Sequence, residues 1–293
     1  MMKDKIEFKK IREFGDIIGD TFVFIKQNFK PLMAAFFSLT GIFILGGMLS
    51  SIMAQLQVVD LTESGGYTGS GPFAKIYSMG FSYVLMIIFL ILSYTSMYVS
   101  VLSFIALYVE KGNLPPTVAE VWAYFKYYYF RMLGSGLLMT IFLMLCFACC
   151  LLPGIYVFPA VTLFYAVMIL ENGNFSHAFE RSFKLLKDEW WITAATLLVI
   201  YVIFYACSMI VQLPAIIVAM VGAFTHAEQP ITRTYVFISS ISQQIAYIFM
   251  VIPIVCSTLI YYNLVERKES LGLLNRIDGL GQNSNQAETP EEY

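Results

Sequence analysis

Six stretches of this chain contain no Asp, Glu, Lys, Arg or His: residues 32–56, 76–109, 132–152, 155–170, 192–224 and 234–265. A helix needs about 20 apolar residues to cross a hydrocarbon core about 30 Å thick. Lipid excludes charge and leaves no water for unpaired backbone, so segments of this kind cross as helices. The chain therefore reads as an all-α, polytopic membrane protein with six transmembrane helices. Residues 1–281 form a single membrane domain, and 282–293 read as a disordered cytoplasmic tail. Composition agrees: 13% of residues are charged and 58% hydrophobic, against about 25% charged in soluble domains. A net charge of −2 leaves no basic surface for nucleic acid.

The first 30 residues hold seven Lys/Arg and five Asp/Glu. The apolar run that follows is too long for the core of a cleavable signal, so it is expected to stay as the first span. Between spans three and four lie only Leu152, Pro153 and Gly154. Pro153 cannot continue the helical hydrogen bonding and Gly154 permits a sharp turn. The primary reading is a tight hairpin at the far membrane face; the other is one long kinked helix. Span two has 34 residues, about 51 Å at 1.5 Å each, so it must tilt or project. Pro214 and Pro253 should kink spans five and six.

The basic residues set the orientation. With the N-terminus, the loops after spans two and four, and the tail on one side, sixteen Lys/Arg lie there and only Lys75 and Arg233 lie opposite. By the positive-inside rule that side is the cytoplasm. Trp122, Tyr127–Tyr129, Trp190, Trp191, Tyr261 and Tyr262 fall at the same interface, where aromatic belts sit.

Each inner segment before a pair of spans has an apolar stripe at i, i+4, i+7, i+11: Ile18, Phe22, Ile25, Phe29; Val118, Trp122, Phe125, Tyr129; and Phe179, Phe183, Leu186, Trp190. That spacing predicts amphipathic interfacial helices. Thr117 and Glu120 make a capping box for the second. A lysine (Lys26, Lys126, Lys187) sits three residues before the last aromatic each time. The pattern fits a threefold repeat, or three surface helices that any membrane entry would select. Lys26, Lys126, Arg181, Lys184, Lys187, Trp190 and Trp191 are the candidate headgroup contacts.

Polar residues inside spans are few. Ser93, Ser96, Ser100 and Ser103 share one face leading to Glu110, either for close packing or as a polar groove. Gly46, Gly47, Ser50 and Ser51 of span one make a natural partner. Gln243 and Gln244 either line a polar cavity or sit near headgroups. The five cysteines all lie in apolar runs, and Cys146 with Cys149 has neither a nearby His nor polar neighbours, so they read as small buried apolar side chains. His177 and His226 fall in loops on opposite faces and cannot share a metal. No cofactor or metal site, catalytic motif or intramembrane charge is found.

Leu152-Pro153-Gly154-Ile155-Tyr156, Glu171, and Ala178 with Arg181-Ser182-Phe183-Lys184-Leu185 and Trp190-Trp191 resemble a pattern in bacterial six-helix membrane proteins. These include the membrane domain accompanying some glycerophosphodiester phosphodiesterases, and its free-standing relatives. The resemblance implies a bacterial inner-membrane location. The phosphodiesterase chemistry of that group belongs to a separate soluble barrel and does not carry over. The expected role is a non-enzymatic envelope scaffold or lipid-handling protein, with membrane lipids and other envelope proteins as partners. The alternative is a transporter or channel for a neutral or amphiphilic solute.

Overall fold

The computed structural model describes residues 5–63, 72–149, 151–225 and 232–269, and these residues are all-α, without a strand. The helices are α1 (Phe14–Gln27), α2 (Phe29–Glu63), α3 (Pro72–Glu110), α4 (Val118–Cys149), α5 (Leu151–Leu170), α6 (Phe175–Leu186), α7 (Trp190–Thr225), α8 (Arg233–Ala246) and α9 (Val251–Glu269). Six helical segments are long and apolar enough to cross a membrane: Phe29–Asp60, Gly80–Glu110, Val118–Cys149, Leu151–Leu170, Trp190–Phe224 and Arg233–Glu269. They overlay the six charge-free stretches. Residues 282–293, His226 and Cys150 lie outside the described residues.

Local chemistry explains the breaks. Gly80 interrupts α3 at φ 60°, ψ −166°, a conformation that only glycine adopts without strain. Pro253 has no N–H for the Phe249 carbonyl one turn earlier, and the chain there tightens into a 3₁₀ turn at Tyr247–Met250 between α8 and α9. Pro214, by contrast, lies within one continuous helix, α7. Asn113, Asn172 and Asp188 take positive φ, the left-handed geometry that ends helices, and they follow α3, α5 and α6.

The three interfacial segments do not fold alike. α1 stops at Gln27 and α6 at Leu186, but the middle segment continues without a break into α4. The stripe of α1 also faces differently from a core stripe. Ile17, Thr21 and Phe24 are its buried residues, whereas Phe22 and Phe29 are exposed.

Contacts define a charged end of the bundle. Phe8 meets the rings of Phe24, Tyr108 and Tyr262 at 5.0, 6.0 and 5.5 Å. Arg12 is only 2% exposed; its Nε donates to Asp20 at 2.8 Å and its Nη1 to the Phe8 carbonyl at 2.9 Å. Its backbone N–H donates to Asn263 Oδ1 at 2.7 Å, and Arg267 donates to its carbonyl at 3.0 Å. This pins the N-terminal segment to the end of α9. At the opposite end Arg233 pairs with Asp60 at 3.0 Å.

α4 and α5 form an antiparallel hairpin, with Phe147 against Gly154 and Tyr165 against Gly136, but Leu152, Pro153 and Gly154, expected to make its turn, are already helical in α5. Tyr156, one turn into α5, stacks on Trp190 at 5.6 Å between ring centroids, and Trp190 Nε1–H donates to its carbonyl at 2.9 Å. Trp190 opens α7 beside Glu189, which pairs with Arg267 at 3.3 Å. Tyr156 near the start of α5 and Trp190 at the start of α7 are therefore held together. Pro153 sits in the first turn of α5, where a missing N–H costs nothing.

Candidate functional site

The serine face of α3 is dry packing. Ser96 and Ser100 donate back to the Ser93 and Met97 carbonyls at 2.8 and 3.1 Å. Ser93 crosses to the Phe43 carbonyl of α2 at 3.0 Å, and the Ser103 hydroxyl is buried without a partner. A side chain on Gly46 would meet the Phe89 ring at 2.2 Å, so glycine is what lets α2 and α3 approach here. Glu110 does not end a groove: Tyr124 donates to it at 2.7 Å. Gln244 approaches Gly47, its Oε1 buried and unpartnered, and the Gln243 carbonyl accepts from the Tyr247 backbone N–H. Besides the Arg233–Asp60 pair, a polar link between α2 and α8 comes from Gln55, which donates to Ser240 at 3.2 Å. The serines and glutamines thus line no shared cavity.

The cavity lies beside them. A hollow of about 510 Å³, open on its outer side, lies between α3, α4, α5 and α7, with Met250 at one edge. That volume is typical of small-molecule sites, about 300–1,000 Å³. Five tyrosines line it: Tyr94, Tyr98, Tyr165, Tyr201 and Tyr205. The Tyr98 and Tyr165 rings lie 4.8 Å apart. The Thr140 hydroxyl donates to the Gly136 carbonyl at 2.8 Å and the nearby Thr162 hydroxyl to the Phe158 carbonyl at 3.1 Å. No Asp, Glu, Lys, Arg or His lines this space. Phenol and threonine hydroxyls donate and accept, so the walls suit uncharged polar atoms carried on an apolar body.

Tyr201 and Tyr205 also line a second hollow, an apolar groove of about 630 Å³ between α5 and α7. Ile155, Phe158 and Pro159 form one wall; Trp190, Trp191, Ala194 and Leu198 form the other. Trp191 is 81% exposed. The signal for both hollows was present in the sequence. Tyr94/Tyr98 and Tyr201/Tyr205 are i, i+4 pairs, which put two hydroxyls on one helix face.

The candidate headgroup residues divide into two groups. Lys26, Lys126, Lys184 and Lys187 are exposed, and Lys126 lies 5.6 Å over the Trp122 ring. Lys268 ties α9 to the α6–α7 turn by donating to the Lys184 and Lys187 carbonyls, each at 2.7 Å. Arg181 is held inside the protein. It pairs with Glu171 at 2.9 Å and Glu269 at 2.5 Å. Glu171 also accepts from Tyr261 at 2.9 Å and pairs with His177 at 2.7 Å. Burial works against the Glu171 carboxylate, yet the His177, Arg181 and Tyr261 contacts outweigh it and hold the carboxyl below its usual range. His177 is in the first turn of α6, not in a loop, with Asn174 capping its N–H at 2.9 Å.

The cysteines differ from expectation. Of the four described cysteines only Cys256 is buried; Cys146 and Cys207 are half-buried and Cys149 is exposed. On an apolar helix face, exposure means contact with acyl chains, where a thiol is tolerated as a small apolar group. Among the described residues no three His, Cys, Asp or Glu side chains gather to hold a metal. The chain matches no protein-family model, no curated protein and no solved structure.

Proposed function

We propose that this chain is a non-enzymatic, lipid-handling protein of the bacterial inner membrane, with its charged end and both termini in the cytoplasm. Its ligand is an amphiphile with uncharged polar atoms. Those atoms bond the tyrosine and threonine hydroxyls, while an apolar part fills the rest of the cavity or the adjoining groove. The observation that carries this reading is a five-tyrosine cavity without charge, inside helices apolar enough for lipid. Hydroxyls at that depth are costly unless they find partners, and an amphiphile supplies them. The sidedness rests on sixteen basic residues against two. The family resemblance agrees with an inner-membrane location, and the exposed lysines near Trp191 suit anionic headgroups. A transport path along the serine face is disfavoured, because those hydroxyls are spent on backbone carbonyls.

The test is native mass spectrometry of the protein released from nanodiscs, with extraction of what it carries. The wild type should retain one amphiphile per chain. Tyr98→Phe with Tyr201→Phe keeps both rings and deletes two hydroxyls. At about 1 kcal/mol per hydrogen bond, retention should fall roughly 25-fold. A wild type that carries nothing, or a double variant that carries as much, would end the lipid-handling reading.

A further inference from the structure

We propose that the α4–α5 hairpin dips into the bilayer from the charged end and returns to that end, so that its turn never reaches the far face. Both ends of α5 carry the argument. At its start, Tyr156 is stacked and hydrogen-bonded to Trp190, the first residue of α7. Just past its other end, Glu171 bonds Tyr261 and Arg181, and Arg181 reaches Glu269 at the end of α9. A helix fixed at both ends to the charged side lies obliquely within one leaflet.

On the α4 side, Arg131 donates to the Oδ1 and the carbonyl of Asn172 at 2.9 and 3.3 Å, next to Glu171, so both arms of the hairpin start from the charged end. Residues 132–170 contain no Asp, Glu, Lys, Arg or His, so no side chain resists keeping the turn in lipid or near it. Leu151 and Leu152 at the turn are exposed, as a lipid-facing turn requires. Length and apolarity make both helices competent to cross; the contacts at their ends route them back. This does not depend on the identity of any ligand.

The test measures which end the turn belongs to. Spin labels are placed in full-length protein in nanodiscs at Leu152→Cys with Lys187→Cys, and at Leu152→Cys with Asp60→Cys, in a background without native cysteines. The 152–187 distance should be the shorter. In oriented vesicles, a membrane-impermeant maleimide should not reach Leu152→Cys from the side that labels Gly66→Cys. A shorter 152–60 distance, or labelling from the Gly66 side, overturns the proposal.

Discussion

Glu171→Gln removes one charge and almost no volume, and the structure says what should follow. Glu171 is 17% exposed and accepts from Arg181 and Tyr261 across three elements: the α5–α6 loop, α6 and α9. Hydrogen bonds to a charged group contribute about 1.5–3 kcal/mol each. His177 is half exposed, so its contact adds at most a few tenths. Glutamine keeps one acceptor oxygen, so the loss should be about 2–3 kcal/mol, read by reversible unfolding in mixed micelles. Arg181→Gln should lose a similar amount, and the pair together less than their sum, with a coupling of about 1–2 kcal/mol. The pH dependence has a definite sign. The Glu171 carboxyl lies below its usual range in the folded protein. Its contribution is therefore whole at neutral pH and is lost as pH falls beneath the ordinary carboxylate value through the lowered one. Glu171→Gln should lack that acid-side component. If the variant unfolds like wild type, or if the two losses simply add, the cluster does not hold α5, α6 and α9 together.

Two further substitutions probe the α2–α3 seam. Gly46→Ala would place a methyl 2.2 Å from the Phe89 ring and should cost about 1–3 kcal/mol, whereas Gly41→Ala, with nothing within 4 Å, should be neutral or stabilise by up to about 1 kcal/mol; the same unfolding measurement separates them. Ser103→Ala deletes a buried hydroxyl that has no partner, so thermal unfolding should leave the protein as stable or more so.

Much of the architecture is written along the chain. Uncharged runs of 16 to 34 residues and a sixteen-to-two bias of cations are local properties, and lipid acts on them locally. Six apolar helices follow, as does the packing of Ser93 beside Gly47 of α2. The cavity was only half legible. Tyrosine pairs at i, i+4 mark a shared face on α3 and on α7, but that those two faces meet each other, and Tyr165, depends on how the helices pack. The hairpin itself was legible, but the end of the bundle it leans on was not. Positive-inside reasoning reads charge, and between Arg131 and Glu171 there is none to read. A turn that crosses and one that doubles back have the same sequence signature, and only Tyr156 on Trp190 and Glu171 on Tyr261 distinguish them.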